Sequence, residues 1–300
     1  MTQLPYVAAM KMKIALAAAG LAALSVLPVL AQDADHAWSK NYPVTGKPTL
    51  NLETGDAGVQ ISSCGSCREV RIHVETVGIK LSDYRLDESQ TGDQVHFLFK
   101  EKPQIGVFHV NWHKSSTKVT VETPADLTLE ARTSDGALRI AGLNGELGIT
   151  TSDGDVTVDH VSGKLRVKSS DGHVNITNST GAIEARASDG SLTVDGTFNA
   201  LMLHTSDGHL EVSLREGTKL SEASSIQASD GPVTVRVPQG FAADLDIHTS
   251  DGHVDCTLPI TMDHYESKGG DGHQLHGKLN GGGTPLTIHT SDGSVKIEQI

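Results

Sequence analysis

The sequence is short of aromatic residues, of basic residues and of cysteine. Phe, Trp and Tyr make up 4 % of 300 residues. So few aromatics cannot fill a thick mixed core. With 31 glycines beside them, they suit a thin β architecture with many turns. Lys and Arg number 24 against 37 Asp and Glu, a formal charge of −13. That balance argues against a nucleic-acid binder and against a protein held to an anionic membrane by charge. No stretch beyond residue 31 is long and apolar enough to span a bilayer. Cysteine occurs three times, at Cys64, Cys67 and Cys256.

The long apolar run that is present lies at the start. Lys11 and Lys13 precede residues 14–30, which are rich in Ala and Leu, and Val29-Leu30-Ala31 offers the small residues a signal peptidase reads. Cleavage after Ala31 is expected, with Met10 or Met12 as alternative starts. The expected organisation is a signal peptide at 1–31, a linker at 32–44, an irregular N-terminal β cap at 45–126 and a repeat domain at 127–300. An exported chain meets an oxidising compartment. Cys64 and Cys67 in "CGSC" therefore read as a structural disulfide ahead of free thiols. Redox use of such a motif needs a helix N-terminus, and here strands flank it.

The repeat is what the sequence has most of. "TSDG" and close variants recur, with aspartates at Asp135, Asp153, Asp171, Asp189, Asp207, Asp230, Asp251, Asp271 and Asp292. The first four gaps are 18 residues and the next four are 23, 21, 20 and 21. Three and five residues after every aspartate but Asp271, where Gln274 and His276 stand, come apolar pairs such as Val156/Val158 and Leu210/Val212. Six and four before stand Leu165/Val167 and Leu245/Ile247. Polar residues fill the places between, which is the alternation of half-buried strands. Each period thus holds two short strands. At the Ser-Asp-Gly corner, Gly is expected to supply positive φ and Asp to accept hydrogen bonds from its own turn. A second, looser corner carries glycine at Gly145, Gly163 and Gly181.

A stack of coils and an antiparallel meander share this parity. The constancy of the columns favours the stack, because a meander needs no identical corners. The fold class expected is all-β, a β-solenoid of stacked two-strand coils of about 18–21 residues. Neither a six-residue subperiod nor the calcium-roll nonapeptide is present. A membrane barrel is excluded by the polar outward face.

Repeated "SDG-x-V-x-V" behind an export signal resembles the bacterial putative-adhesin domain family of unknown function, built of β-strand repeats. The closing "HGKLNGGGTPLTIHTSDGSVKIEQI" (276–300) and the early "TGDAGVQISSCGSCREVRIHVE" (54–75) are similar to that family's pattern as well. The resemblance covers about residues 45–300. It implies a β-solenoid outside the inner membrane with an adhesive role and no catalytic motif.

The candidate chemistry is thin. Carboxylates of Asp135, Asp153, Asp171, Asp189, Asp207, Asp230, Asp251 and Asp292 would form a ladder, which suits calcium with its six to eight oxygens. His248 and His253 flank the Asp251 corner and are the candidate ligands there. In chain order, coils bearing a histidine in the row of His248 are separated by coils bearing Gln227 or Lys268. Two coils span about 10 Å, too far for one ion to bridge. "HVNWH" (109–113) is a weaker metal candidate. A Ser-Asp-His triad is rejected because the repeat offers about eight equivalent turns, whereas catalysis needs one special place.

The expected protein is therefore an exported, non-enzymatic β-solenoid scaffold, periplasmic or at the cell surface, with no cofactor, calcium in its ladder being the alternative. It would bind a protein or glycan partner and no nucleic acid. A carbohydrate-binding or carbohydrate-active solenoid and a calcium-binding surface protein are the alternatives. Loops near 215–225, 238–244 and 258–266 are the expected place for a site. The last strand, 295–300, is expected to offer an open edge.

Overall fold

The computed structural model describes residues 35–103, 115–267 and 273–300. The signal segment at 1–31 and "HVNWH" lie outside them. The described chain is strand throughout apart from turns and one short 3₁₀ turn at Leu81–Asp83. No helix of the described residues is long and apolar enough to cross a membrane.

The protein is a β-solenoid with two faces. Neighbouring strands on each face run parallel and in register at an offset of 18 residues through the middle of the stack. Asn144–Thr151 pairs with Ser162–Ser169, and Val156–Asp159 pairs with the start of Val174–Ala187. The long strands Val174–Ala187 and Leu192–Thr205 round the second corner unbroken. They join the faces into one continuous sheet. The apolar columns point inward: Leu138, Ile140, Val156, Val158, Val174, Ile176, Leu192, Val194, Leu210 and Val212 are each at most 1 % exposed.

The stack reaches back into the region expected as an irregular cap. Thr49–Thr54 lies parallel to Asp126–Arg132, and Gly58–Ser63 lies parallel to Leu138–Ala141. Beyond them Gln94–Glu101 and Ser116–Thr123 add another parallel layer. Antiparallel strands then close that end: Tyr84–Thr91 on one face, and Glu69–Val77 with Ala37–Pro43 on the other. Trp38, Tyr84, Phe97 and Phe99 gather there, with ring centroids 4.4–6.4 Å apart. The scarce aromatics thus provide bulk where no further coil covers the core.

The other end departs from chain order. Ser224–Ala228 pairs with Pro285–Thr290, and Pro285–Thr290 pairs in turn with Ala243–Thr249. On the second face Val233–Val237 pairs with Val295–Gln299, which pairs with Val254–Cys256. The coil of Asp292 therefore sits between those of Asp230 and Asp251. This overturns the expected open edge at 295–300, because the final strand is paired on both sides. Val254–Cys256 is the outer strand instead, and Val254 and Cys256 are only half-buried. The copy at Asp271 lies outside the described residues. It falls between Ile260–Ser267 and His273–Leu279, which form an antiparallel pair.

The Ser-Asp-Gly corner is built differently from the expected turn. Its glycines have no positive φ. A Cβ added at Gly154, Gly172, Gly190, Gly208, Gly231, Gly252 or Gly293 would come within 3.0 Å of a glycine carbonyl on the adjoining coil. Glycine is required there for clearance between stacked backbones, not for a left-handed turn. Positive φ belongs to the second corner, as at Gly163 (φ +105). The small residue before Ser-Asp-Gly makes a polar contact inside the corner. The buried Ser169 hydroxyl donates to the Gly172 carbonyl at 3.0 Å, and Thr249 donates to Gly293 at 2.8 Å.

The second corner also holds two non-glycine residues in the left-handed region, His160 (φ 51) and Asn178 (φ 52). Asp159 holds both in place. It accepts from Asn178 Nδ2 at 2.7 Å and Thr177 Oγ1 at 2.9 Å, and lies 2.7 Å from His160 Nδ1. These partners, Asn178 foremost, push its pKa down to about 2. A carboxyl depressed below its usual 3.8 stabilises the fold above that value and ceases to as pH falls through about 2. Asp159→Ala is expected to be destabilised by a constant amount above about pH 5, with the difference from wild type vanishing towards about pH 2. Denaturation midpoints measured across that range check this.

Candidate functional site

The eight candidate aspartates stand in one exposed row along the first corner. Their backbone N–H groups are committed to the stack. Asp171 donates to the Ser152 carbonyl at 2.9 Å, Asp189 to Ser170 at 2.9 Å and Asp251 to Ser291 at 2.8 Å. Their carboxylates make no hydrogen bond or ion pair among the described residues, contrary to the expected turn-capping role. Parallel stacking takes the N–H groups that an isolated turn would offer to its own aspartate. Like charges at about 4.8 Å spacing are tolerated because water screens them.

The two candidate histidines are not brought together. His253 follows the corner and pairs with Ser294 Oγ at 3.0 Å. His248 precedes it, on the other face. Its neighbour is His289, one coil away, with ring centroids 5.2 Å apart and planes within 4°. Chain order hid this neighbour. Among the described residues no three His, Cys, Asp or Glu side chains are arranged to hold a metal.

Cys64 and Cys67 are disulfide-bonded, Cα atoms 5.8 Å apart, in the bend after Gly58–Ser63. Cys256 is a free thiol paired in register with Ile297. Burial pushes its pKa up, which favours the thiol over the thiolate.

The crossover of the last coil leaves a groove beside the stack. The chain must skip a layer after Val233–Val237 and return to it before Pro285–Thr290. The residues that do this leave the coil as turns. Phe241 N–H donates to Pro238 at 3.1 Å, Gly282 to Leu279 at 3.0 Å, and Thr218 to Arg215, in a third turn nearby, at 3.1 Å. Each turn uses a left-handed glycine: Gly217, Gly240 or Gly281. Between them lies a groove of about 730 Å³. Its floor is Leu220, Pro238 and Phe241, and its rim carries Glu216, Lys219 and Gln239. Thr218 is 8 % exposed, and its hydroxyl has no partner. The loops 215–225 and 238–244 therefore meet, joined by 282–284 rather than by 258–266.

These features define a parallel two-faced β-solenoid whose distinctive surface is a groove beside the stack. The stack that begins at Thr49 and closes with Val295–Gln299 coincides with a family match over residues 49–298. The chain belongs to the Toastrack DUF4097 family. Among solved structures it is similar to a "putative lipid binding protein" from Parabacteroides distasonis ATCC 8503, at 14 % identity and TM-score 0.49, covering 88 % of this chain and 97 % of that one. A "putative adhesin" from Bacteroides fragilis NCTC 9343 shares 12 % identity at TM-score 0.37, with the same coverage of 88 % and 97 %. A "putative cell adhesion protein" from Clostridium sporogenes ATCC 15579 shares 11 % identity at TM-score 0.27, covering 88 % of this chain and all of that one. No curated protein matches.

Proposed function

We propose that this protein is an exported, non-enzymatic scaffold of the cell envelope that holds a protein or glycan partner in the groove of its three side turns. The groove carries this reading. Its volume of about 730 Å³ falls within the range of small-ligand and side-chain sites. It stands at the one crossover described, where the molecule departs from its repeat, and it combines an apolar floor, a polar rim and an unsatisfied hydroxyl. The repeated corners offer the same residues many times, which suits rigidity better than recognition.

The test is to fill the groove. Ala242 is exposed on its wall, so Ala242→Trp occludes the space at little cost to the fold. The wild-type chain is expected to retain envelope glycans on an array, or envelope proteins in a pull-down, with the variant losing about tenfold in affinity. Equal retention by both would remove the groove from the function. Protease accessibility on whole cells separates periplasm from surface.

A further inference from the structure

Adjacent parallel strands in register place equivalent residues about 4.8 Å apart with their side chains on the same side. His289 and His248 hold such positions on the outer face of Pro285–Thr290 and Ala243–Thr249. Their rings lie face to face at 5.2 Å. Gln227 and Gln274 flank them in the same row. His204 stands beyond Gln227, two layers from His289, and is out of reach. Asp246 lies two residues before His248 on the same face, 3.7 Å from His276 Nδ1. Nδ1 of His248 is buried and has no hydrogen-bond partner.

We infer that His248 and His289 form a two-imidazole site for a divalent transition metal, with water completing the coordination. The distances decide between adjacent and alternate layers. An ion bound at 2.0–2.1 Å needs its two nitrogens no more than about 4 Å apart. Rings with centroids 5.2 Å apart can each bring one nitrogen within that limit by turning at χ1 and χ2, whereas rings two layers, about 10 Å, apart cannot. Turning also frees His248 from leaving a polar atom unsatisfied, which is costly where it is buried. Imidazole donors select Cu²⁺ above Ni²⁺ and Zn²⁺, and they leave Ca²⁺ and Mg²⁺ unbound. The Asp246 carboxylate favours a dication beside the pair.

The test is calorimetric titration of the untagged chain with Cu²⁺, Zn²⁺ and Ca²⁺, with electron paramagnetic resonance to count the nitrogens on copper. Glutamine already occupies this row at positions 227 and 274, so His248→Gln and His289→Gln suit the fold; circular dichroism checks it. One Cu²⁺ per chain is expected, with two nitrogen donors, a weaker Zn²⁺ isotherm and no Ca²⁺ signal. Either variant should lose about tenfold or more in affinity, and His204→Gln should lose none. The proposal is overturned if Cu²⁺ shows no one-to-one binding below about 1 mM, or if His289→Gln binds as tightly as His204→Gln.

Discussion

Gly172→Ala is expected to destabilise the protein by about 3 kcal/mol, at the upper end for overpacking. The added Cβ meets the Gly154 carbonyl carbon and oxygen, which are backbone atoms locked into the next coil. No side chain can swing aside to admit it, so two layers must separate locally. The neighbouring Asp171→Ala should change stability by no more than about 0.5 kcal/mol, because its carboxylate is exposed and unbonded. Chemical denaturation of both variants tests the pair. A larger loss at Asp171 than at Gly172 would show that the corner is held by carboxylate capping and not by backbone clearance.

Deleting the last coil is expected to have a larger and more revealing effect. In a solenoid stacked in chain order, loss of residues 285–300 would only shorten one end. Here it empties a layer between Ser224–Ala228 and Ala243–Thr249, and another between Val233–Val237 and Val254–Cys256. Amide exchange in Val254–Cys256, whose ladder partner is Val295–Gln299, should then rise to within about tenfold of the unfolded rate, while Ala243–Thr249 keeps its antiparallel pairing with His273–Leu279. Protection in Asn144–Thr151 and Ser162–Ser169 should persist, since each coil there contacts only its neighbours. Retained protection in Val254–Cys256 would contradict the permuted stacking.

Much of the architecture is legible in the sequence because alternation and period report local facts. An inward residue such as Val158 or Ile176 must be apolar wherever its coil sits in the stack. Which coil lies beside which is not local. The corners are so alike that the Asp292 coil fits against that of Asp230 as well as the Asp251 coil would. The trace left in the sequence is the lengthening of the period beyond Asp207, from 18 to 20–23 residues. Those added residues form the crossover and its groove. The pairing of His248 with His289 was hidden for the same reason. The corner glycines were recognised, but glycine answers both a positive φ and a close backbone approach, and composition alone does not separate the two.

The enclosed position of the last coil has a consequence for how this molecule could have lengthened. A repeat added after the final strand would find no free layer to stack on, because Val295–Gln299 is already enclosed. At the opposite end, antiparallel strands cover the first layers. Duplication is accommodated only in the middle, between about residues 126 and 214, where the spacing is a uniform 18 residues. Each duplicated unit would move the groove about 4.8 Å further from the N-terminal end without altering it. The stack is in this sense of adjustable length with fixed ends, and duplication within it would lengthen it while leaving the groove intact.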